Sequence, residues 1–279
     1  MPNSQTDLIG QHPVAPDFFF RWLACKDVAV TKTKCHRSLT ALVPTNNSDL
    51  IDWLAKKVFL HHHSTYRIKK LKQNYKKLGF SKYAKQHRKL PKADKTRKGN
   101  ATEILLTEYV ESCLQKKLIK VFKLRYNPNV DQAIKGDDTL MVDVLKGKKK
   151  DKIRMYLGEA KFRKTPTKTI VETITKSLEQ SKNPLSYSFL VDELGRDPAT
   201  ESIADMLDKF LVEQIKGKGD LISVGMLFSN TSTHGITEAN LSSKNSNMVF
   251  ISIGIETPED LIKKAFTKAN YYVRNPLVV

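Results

Sequence analysis

The chain reads as an α/β protein, a sheet with helices packed on it, and three observations lead there. Apolar runs at 139–145, 153–162, 221–227 and 248–255 have the length and residue types of strands. Helical periodicity fills the stretches at 168–180, at 201–216 and from 258 to about 272. The two kinds of segment interleave along the chain, which favours helices laid on a sheet over separate all-α and all-β units. With 279 residues, 40% of them hydrophobic, the chain can bury one large core or two smaller ones.

The elements follow in order. The run Phe18-Phe19-Phe20-Arg21-Trp22-Leu23 is apolar and begins a strand or a buried helix. Ser48-Asp49 opens a helix whose apolar positions Leu50, Ile51, Leu54, Val58 and Phe59 share one face. Pro91 and the polar run 92–100 predict a boundary, dividing an accessory region (1–95) from a second domain (96–279). Asn100 as N-cap, with Glu103 at the third helical position, predicts a capping box at the start of a helix over 101–110. A strand is expected at 118–125, followed by a loop at Asn127-Pro128-Asn129. The strands 139–145 and 153–162 flank the turn 147–151 and form a hairpin. Thr165-Pro166-Thr167 opens the helix 168–180, and Thr257-Pro258-Glu259-Asp260 opens the last one, with Pro in its first turn.

Charge narrows the class of partner. The net charge is +19, with a pI near 9.7, which favours a polyanion and above all nucleic acid. Residues 66–98 hold fourteen Lys or Arg and one acid, Asp94, interleaved with Tyr66, Tyr75, Phe80 and Tyr83. Cations there can neutralise phosphates while aromatics stack on unpaired bases. Lys69, Lys70, Lys72, Lys76 and Lys77, with Arg163, are the candidate DNA contacts. Three cysteines without regular spacing predict no disulfide framework and a reducing compartment. The first residues lack a basic-then-apolar leader, and no run of eighteen apolar residues occurs, so a cytoplasmic chain without a membrane span is expected. His61-His62-His63, even with Cys25, Cys35 and His36, fits no common zinc spacing, and a solvent-facing or helix-end role is expected. No Ser or His lies in a nucleophile-elbow context. No Gly-x-x-x-x-Gly-Lys-Ser/Thr loop is present, so any ATP-driven motor must be another chain.

The chemistry is concentrated in Leu157-Gly158-Glu159-Ala160-Lys161-Phe162. Glu159 and Lys161 are two apart and share a strand face. Asp137, Asp138 and Asp143 lie upstream on or before the other hairpin arm. Two carboxylates can hold Mg²⁺ (or Mn²⁺), and a neighbouring Lys can orient or deprotonate the attacking water and offset negative charge, which suits phosphodiester hydrolysis. Asp143 is the favoured partner of Glu159, because a carboxylate between Val142 and Val144 interrupts a buried strand. Asp138 is the second candidate, since a hairpin symmetric about its turn sets it level with Glu159. Glu103 can add a carboxylate.

A helix bearing Glu103, then a strand, an Asp-bearing strand, a Glu159-x-Lys161 strand and a helix resemble the PD-(D/E)xK restriction-endonuclease-like core, a mixed central sheet flanked by helices. More closely, Arg97-Lys-Gly-Asn-Ala-Thr-Glu103, Arg125-Tyr-Asn-Pro-Asn129, Asp131-Gln-Ala-Ile-Lys-Gly-Asp-Asp138 and Leu157–Phe162 together resemble the HamA family over about 97–275. The Asp of the motif is not preceded by Pro here. The resemblance implies a metal-dependent DNase, the effector of a Hachiman anti-phage system, restrained by a HamB-like superfamily-2 helicase and degrading DNA on activation. It implies DNA, and no small molecule, as substrate. Two other readings compete: a stand-alone restriction-type endonuclease, and a catalytically silent DNA-binding or assembly subunit.

Overall fold

The computed structural model describes residues 3–75, 90–120, 123–125, 129–132, 138–147, 151–180, 187–196, 198, 200–215 and 220–275. Among them are seven strands: β1 (Leu23–Asp27), β2 (His36–Ala41), β3 (Ile119–Lys120), β4 (Thr139–Leu145), β5 (Lys152–Phe162), β6 (Asp220–Ser229) and β7 (Met248–Gly254). They form one mixed sheet in the order β1-β2-β7-β6-β5-β4-β3. The centre, β2-β7-β6-β5, is parallel, whereas β1, β4 and β3 are attached antiparallel. Parallel strands covered on both faces need continuous apolar runs, which is what β6 and β7 show.

Helices cover both faces. One layer contains α1 (Gln5–Ile9), α3 (Ser48–His62), α5 (Asp94–Leu114) and α10 (Pro258–Arg274). Its core joins Leu54, Val58, Leu105, Tyr109 and Phe266 to the sheet residues Met141, Tyr156, Val224, Met226, Val249 and Ile251. The other layer contains α6 (Lys168–Gln180), α7 (Tyr187–Gly195), α8 (Glu201–Ile215) and α9 (Thr233–Asn240). Ile174, Leu190, Leu207 and Phe210 there pack on Val142, Met155, Leu157 and Leu227. Short α2 (Phe18–Trp22) runs straight into β1, so the first apolar run supplies a helix and then a strand. Phe18, Phe19 and Trp22 of α2 pack on Trp53 of α3.

Several expectations are corrected. The polar run after Pro91 is no linker, because α5 begins at Asp94, six residues before the proposed cap Asn100. Ala93 stands at the N-cap without a capping side chain, and Asp131 caps the helix from a distant segment. Its Oδ1 accepts from the Lys92 and Ala93 N–H groups, at 2.5 and 3.1 Å. A carboxylate at the positive end of a 21-residue helix is favourable both as acceptor and as charge. Asn100 is instead buried mid-helix, with Nδ2 3.0 Å from His62 Nε2. The strand expected at 118–125 is shorter. It comprises β3, then a 3₁₀ turn at Lys123–Arg125. The first 95 residues, expected as an accessory region, supply β1, β2 and α3 to the same sheet and core. The histidine run is not solvent-facing. All three rings are buried at the end of α3, and His62 and His63 each bond through Nδ1 to a main-chain carbonyl four residues back.

Gly158 sets how closely α5 lies on the hairpin. A Cβ there would stand 1.9 Å from Thr139 Oγ1 and 2.6 Å from Leu106 Cδ2. Gly158→Ala should therefore lower stability by about 1–3 kcal/mol through overpacking. Urea unfolding of the two proteins, with an unchanged m-value, checks this.

Candidate active site at the end of the β4–β5 hairpin

The hairpin register decides which acid meets Glu159. Thr139 pairs with Gly158 and Asp143 with Arg154, so one step beyond Thr139 the chain brings Asp138 level with Glu159. Asp138 Oδ2 accepts from the Ala160 N–H at 2.9 Å and from Lys161 Nζ at 2.9 Å. The same Nζ is 2.5 Å from Glu159 Oε1. One ammonium thus bridges two carboxylates that the two arms deliver to the sheet rim. Both acids are largely buried, with side chains 14% and 13% exposed.

The expectation that Asp143 partners Glu159 fails on the same register. Residues opposed across an antiparallel pair share a face, so Asp143 lies with Arg154 and Tyr156, on the face opposite Glu159. Its carboxylate is buried and forms an ion pair with Lys116, just past the end of α5. The polar interruption of the strand that drew attention to Asp143 has a structural explanation, since the buried charge has its own counter-ion.

Glu103 reaches the site from α5. It lines one cleft with Asp138, His61, Thr107, Lys120 and Lys123, and its carboxylate is 3.2 Å from Lys123 Nζ. Three acids on α5 differ instructively. Glu111 accepts from the Leu118 N–H at 2.7 Å and pairs with Lys120 at 2.6 Å. Glu108 meets His61 at 2.7 Å and Lys57 at 2.5 Å. Burial pushes the Glu108 carboxyl up, but these two partners outweigh it and hold it far below the usual range. Glu103 is pushed up to about 7, by burial first and by the Asp138 charge besides, with Lys123 only partly offsetting both. Burial also raises Glu159, again with Asp138 adding to the shift and Lys161 opposing it. For Lys161, burial favours loss of the proton, but Asp138 and Glu159 outweigh it and the ammonium is held above its ordinary value. Burial, with the Asp138 charge beside them, therefore disfavours the charged forms of Glu159 and Glu103 despite their lysines. Such a place favours an added cation.

Four of the predicted residues, Asp138, Glu159, Lys161 and Glu103, come together, and Asp143 stays apart. Of the predicted DNA-binding residues, Lys69 is exposed on α4 (Thr65–Tyr75), which begins just beyond the histidines of α3. Lys70 on the same helix is half-buried, its Nζ 5.6 Å from the Tyr66 ring centre. Arg163 is exposed at the end of β5, two residues from Lys161. Lys76, Lys77, Asp137 and the Lys72 side chain lie outside the described residues. Sequence reasoning missed Lys123, His61 and Ser177, the last of which hydrogen-bonds Glu159 from α6. Lys123 carries no local signal, because it meets Glu103 only through the turn after β3.

A mixed sheet that ends in a paired-carboxylate and lysine cluster defines a candidate phosphate-chemistry class. The comparisons give the family. The HamA family model matches residues 16–269. The "Hachiman protein HamA" of Bacillus cereus is 36% identical over 272 residues, covering 95% of each chain. The chain belongs to the HamA family. Among the described residues no helix is long and apolar enough to cross a membrane.

Glu103 permits a test of the electrostatic picture. Its carboxyl pKa is near 7 when folded and about 4.3 when unfolded. Above the folded value the native state carries a charge it disfavours, whereas below the unfolded value both states are protonated. Glu103→Gln should therefore raise stability at mildly alkaline pH, by on the order of 2–3 kcal/mol. The gain should fade as the pH drops through 7 towards the unfolded value. Tm against pH for both proteins measures it.

Proposed function

We propose that the chain is a metal-dependent deoxyribonuclease with a PD-(D/E)xK-type site, the effector of an anti-phage defence system. The observation that carries the reading is the single ammonium of Lys161 between Asp138 Oδ2 and Glu159 Oε1, 2.9 and 2.5 Å away, at the mouth of the hairpin. Membership of the HamA family, with a relative named as a Hachiman protein, supports the defence role. A HamB-like superfamily-2 helicase is the proposed partner that restrains the nuclease and then acts with it.

The donor set fits Mg²⁺ or Mn²⁺. It offers hard carboxylate oxygens, and a divalent ion would favour the charged forms of Glu159 and Glu103, which burial and then the Asp138 charge disfavour. Asp138 and Glu159 would hold the ion, with Glu103 completing the carboxylate set. Bound there, it would activate water and offset charge on the scissile phosphate. Lys161 stays protonated between its two acids, so its Nζ donates hydrogen bonds and positions water or phosphate oxygen; it does not abstract a proton. Glu103, with a carboxyl near 7, can accept a proton at its side-chain oxygen close to neutral pH. Lys69 and Lys70 of α4, together with Arg163 beside the site, would hold the DNA backbone.

Plasmid incubated with the purified chain, alone and with the helicase, in Mg²⁺ or EDTA is the direct test. Asp138→Asn and Glu159→Ala should each lower cleavage on the order of 10²-fold or more. Asp143→Asn should retain cleavage while lowering Tm. A Glu159→Ala, Lys161→Ala protein that cleaves or protects cells as well as wild type would favour a silent DNA-binding subunit. Cleavage that needs no helicase and depends on site or methylation would favour a stand-alone restriction-type enzyme. Lys69→Glu with Arg163→Glu should weaken DNA binding and flatten the plot of log affinity against log salt, by about 0.9 for each phosphate that the protein no longer neutralises.

A further inference from the structure

We propose that His36, His234 and Glu238 form a transition-metal site of the Zn²⁺ class, linking β2 to α9 and sharing no residue with the carboxylate–lysine cluster. A ring nitrogen of each histidine and a Glu238 carboxylate oxygen all lie within 4.8 Å of one another. His234 and Glu238 are four apart on α9, so the helix places both on one face. His36 comes from β2, and its ring centre is 5.6 Å from that of His234, with the planes 21° apart.

Two further observations point to a ligand. His36 is 2% exposed, yet among the described residues its Nδ1 has no hydrogen-bond partner, and His234 Nδ1 is likewise buried without one. Buried polar atoms left unsatisfied are costly, and with His234 Nε2 3.3 Å from Glu238 Oε2 these side chains describe a site that an added cation would complete. His36 Nε2 is 2.8 Å from Ser252 Oγ on β7. A hydrogen bond to one ring nitrogen, fixing the orientation and basicity of the other, is how metal-ligating histidines are usually supported.

The surrounding charges are mixed. Lys34 Nζ donates to the Glu238 main-chain oxygen at 2.8 Å and disfavours a cation. Asp27 acts on His36 in the opposite sense, although its carboxylate is already paired with Arg37. Two imidazoles and one carboxylate suit Zn²⁺ far better than Mg²⁺, which prefers an all-oxygen shell. Three protein ligands leave a fourth position for water, so the ion would be exchangeable. Its effect would be to clamp the N-terminal strand pair to the C-terminal half of the chain.

Co²⁺ is the spectroscopic probe. The full chain, stripped with chelator, should bind one Co²⁺ at this site, besides any that the Asp138–Glu159 cluster takes, with visible d–d bands that Zn²⁺ abolishes and Mg²⁺ does not. Zn²⁺ should raise its Tm. His234→Ala and Glu238→Ala, both at partly exposed positions, should each weaken Co²⁺ binding at least about tenfold and remove the Tm shift, while Glu159→Ala keeps both. Absence of the bands in wild type, or equal binding by wild type and His234→Ala, would overturn the site.

Discussion

The bridge from Lys161 to Asp138 and Glu159 depends on a register, and the register depends on a residue with no side chain. Thr139 faces Gly158 across the hairpin, and Leu106 of α5 presses on the same spot. A larger residue would push the helix away or shift the pairing. A slip of one residue would exchange the faces of the strand, sending Glu159 and Lys161 to the α5 layer. Placement of two acids and one ammonium is thus a consequence of backbone pairing and close packing, set before any electrostatics applies.

Helix α5 then acts as the beam that brings the remaining parts together. Asp131 caps its start, Arg97 Nε donates to the Pro91 carbonyl at 2.9 Å, and Asn100 meets His62. Arg125 Nη2 donates to the Leu60 carbonyl at 2.9 Å, fastening the turn after β3 to the end of α3. Among the described residues, Arg97, Asn100, Arg125 and Asp131 of the segments that carry the family resemblance fasten the elements around the cleft that Glu103 and Asp138 line. The contrast along α5 follows from partner number. Glu108 has Lys57 and His61, and Glu111 has Lys117, Lys120 and a main-chain donor, whereas Glu103 pairs with Lys123 and faces another acid.

Periodicity located the hairpin, the parallel strands β6 and β7 and the helices α6, α8 and α10 nearly to the residue, because each is long and uniformly patterned. It missed β2, whose polar residues give no run, although His36, Arg37 and Ser38 are buried within it. Asn100 misled because a polar residue after glycine is a strong helix-start signal, and only tertiary packing reveals its burial beside His62. That Glu159 and Lys161 share a strand face was legible from their spacing together with the order of elements around them. The choice between Asp138 and Asp143 was not, because both satisfy the local chemistry and only the pairing of Thr139 with Gly158 separates them. Lys123 and Ser177 were invisible for a similar reason, since they reach the cluster from elements far away in the chain.

The weaving of β1 and β2 into the sheet limits how the polypeptide can be divided. β2 lies between β1 and β7, hydrogen-bonded to both. A fragment starting at residue 96 would strip β7 of its neighbour and uncover a row of unpaired amides next to Val249, Ile251 and Ile253. Such an edge pairs readily with other chains. Excision at that point would yield a sticky, self-associating remnant in place of an independent half.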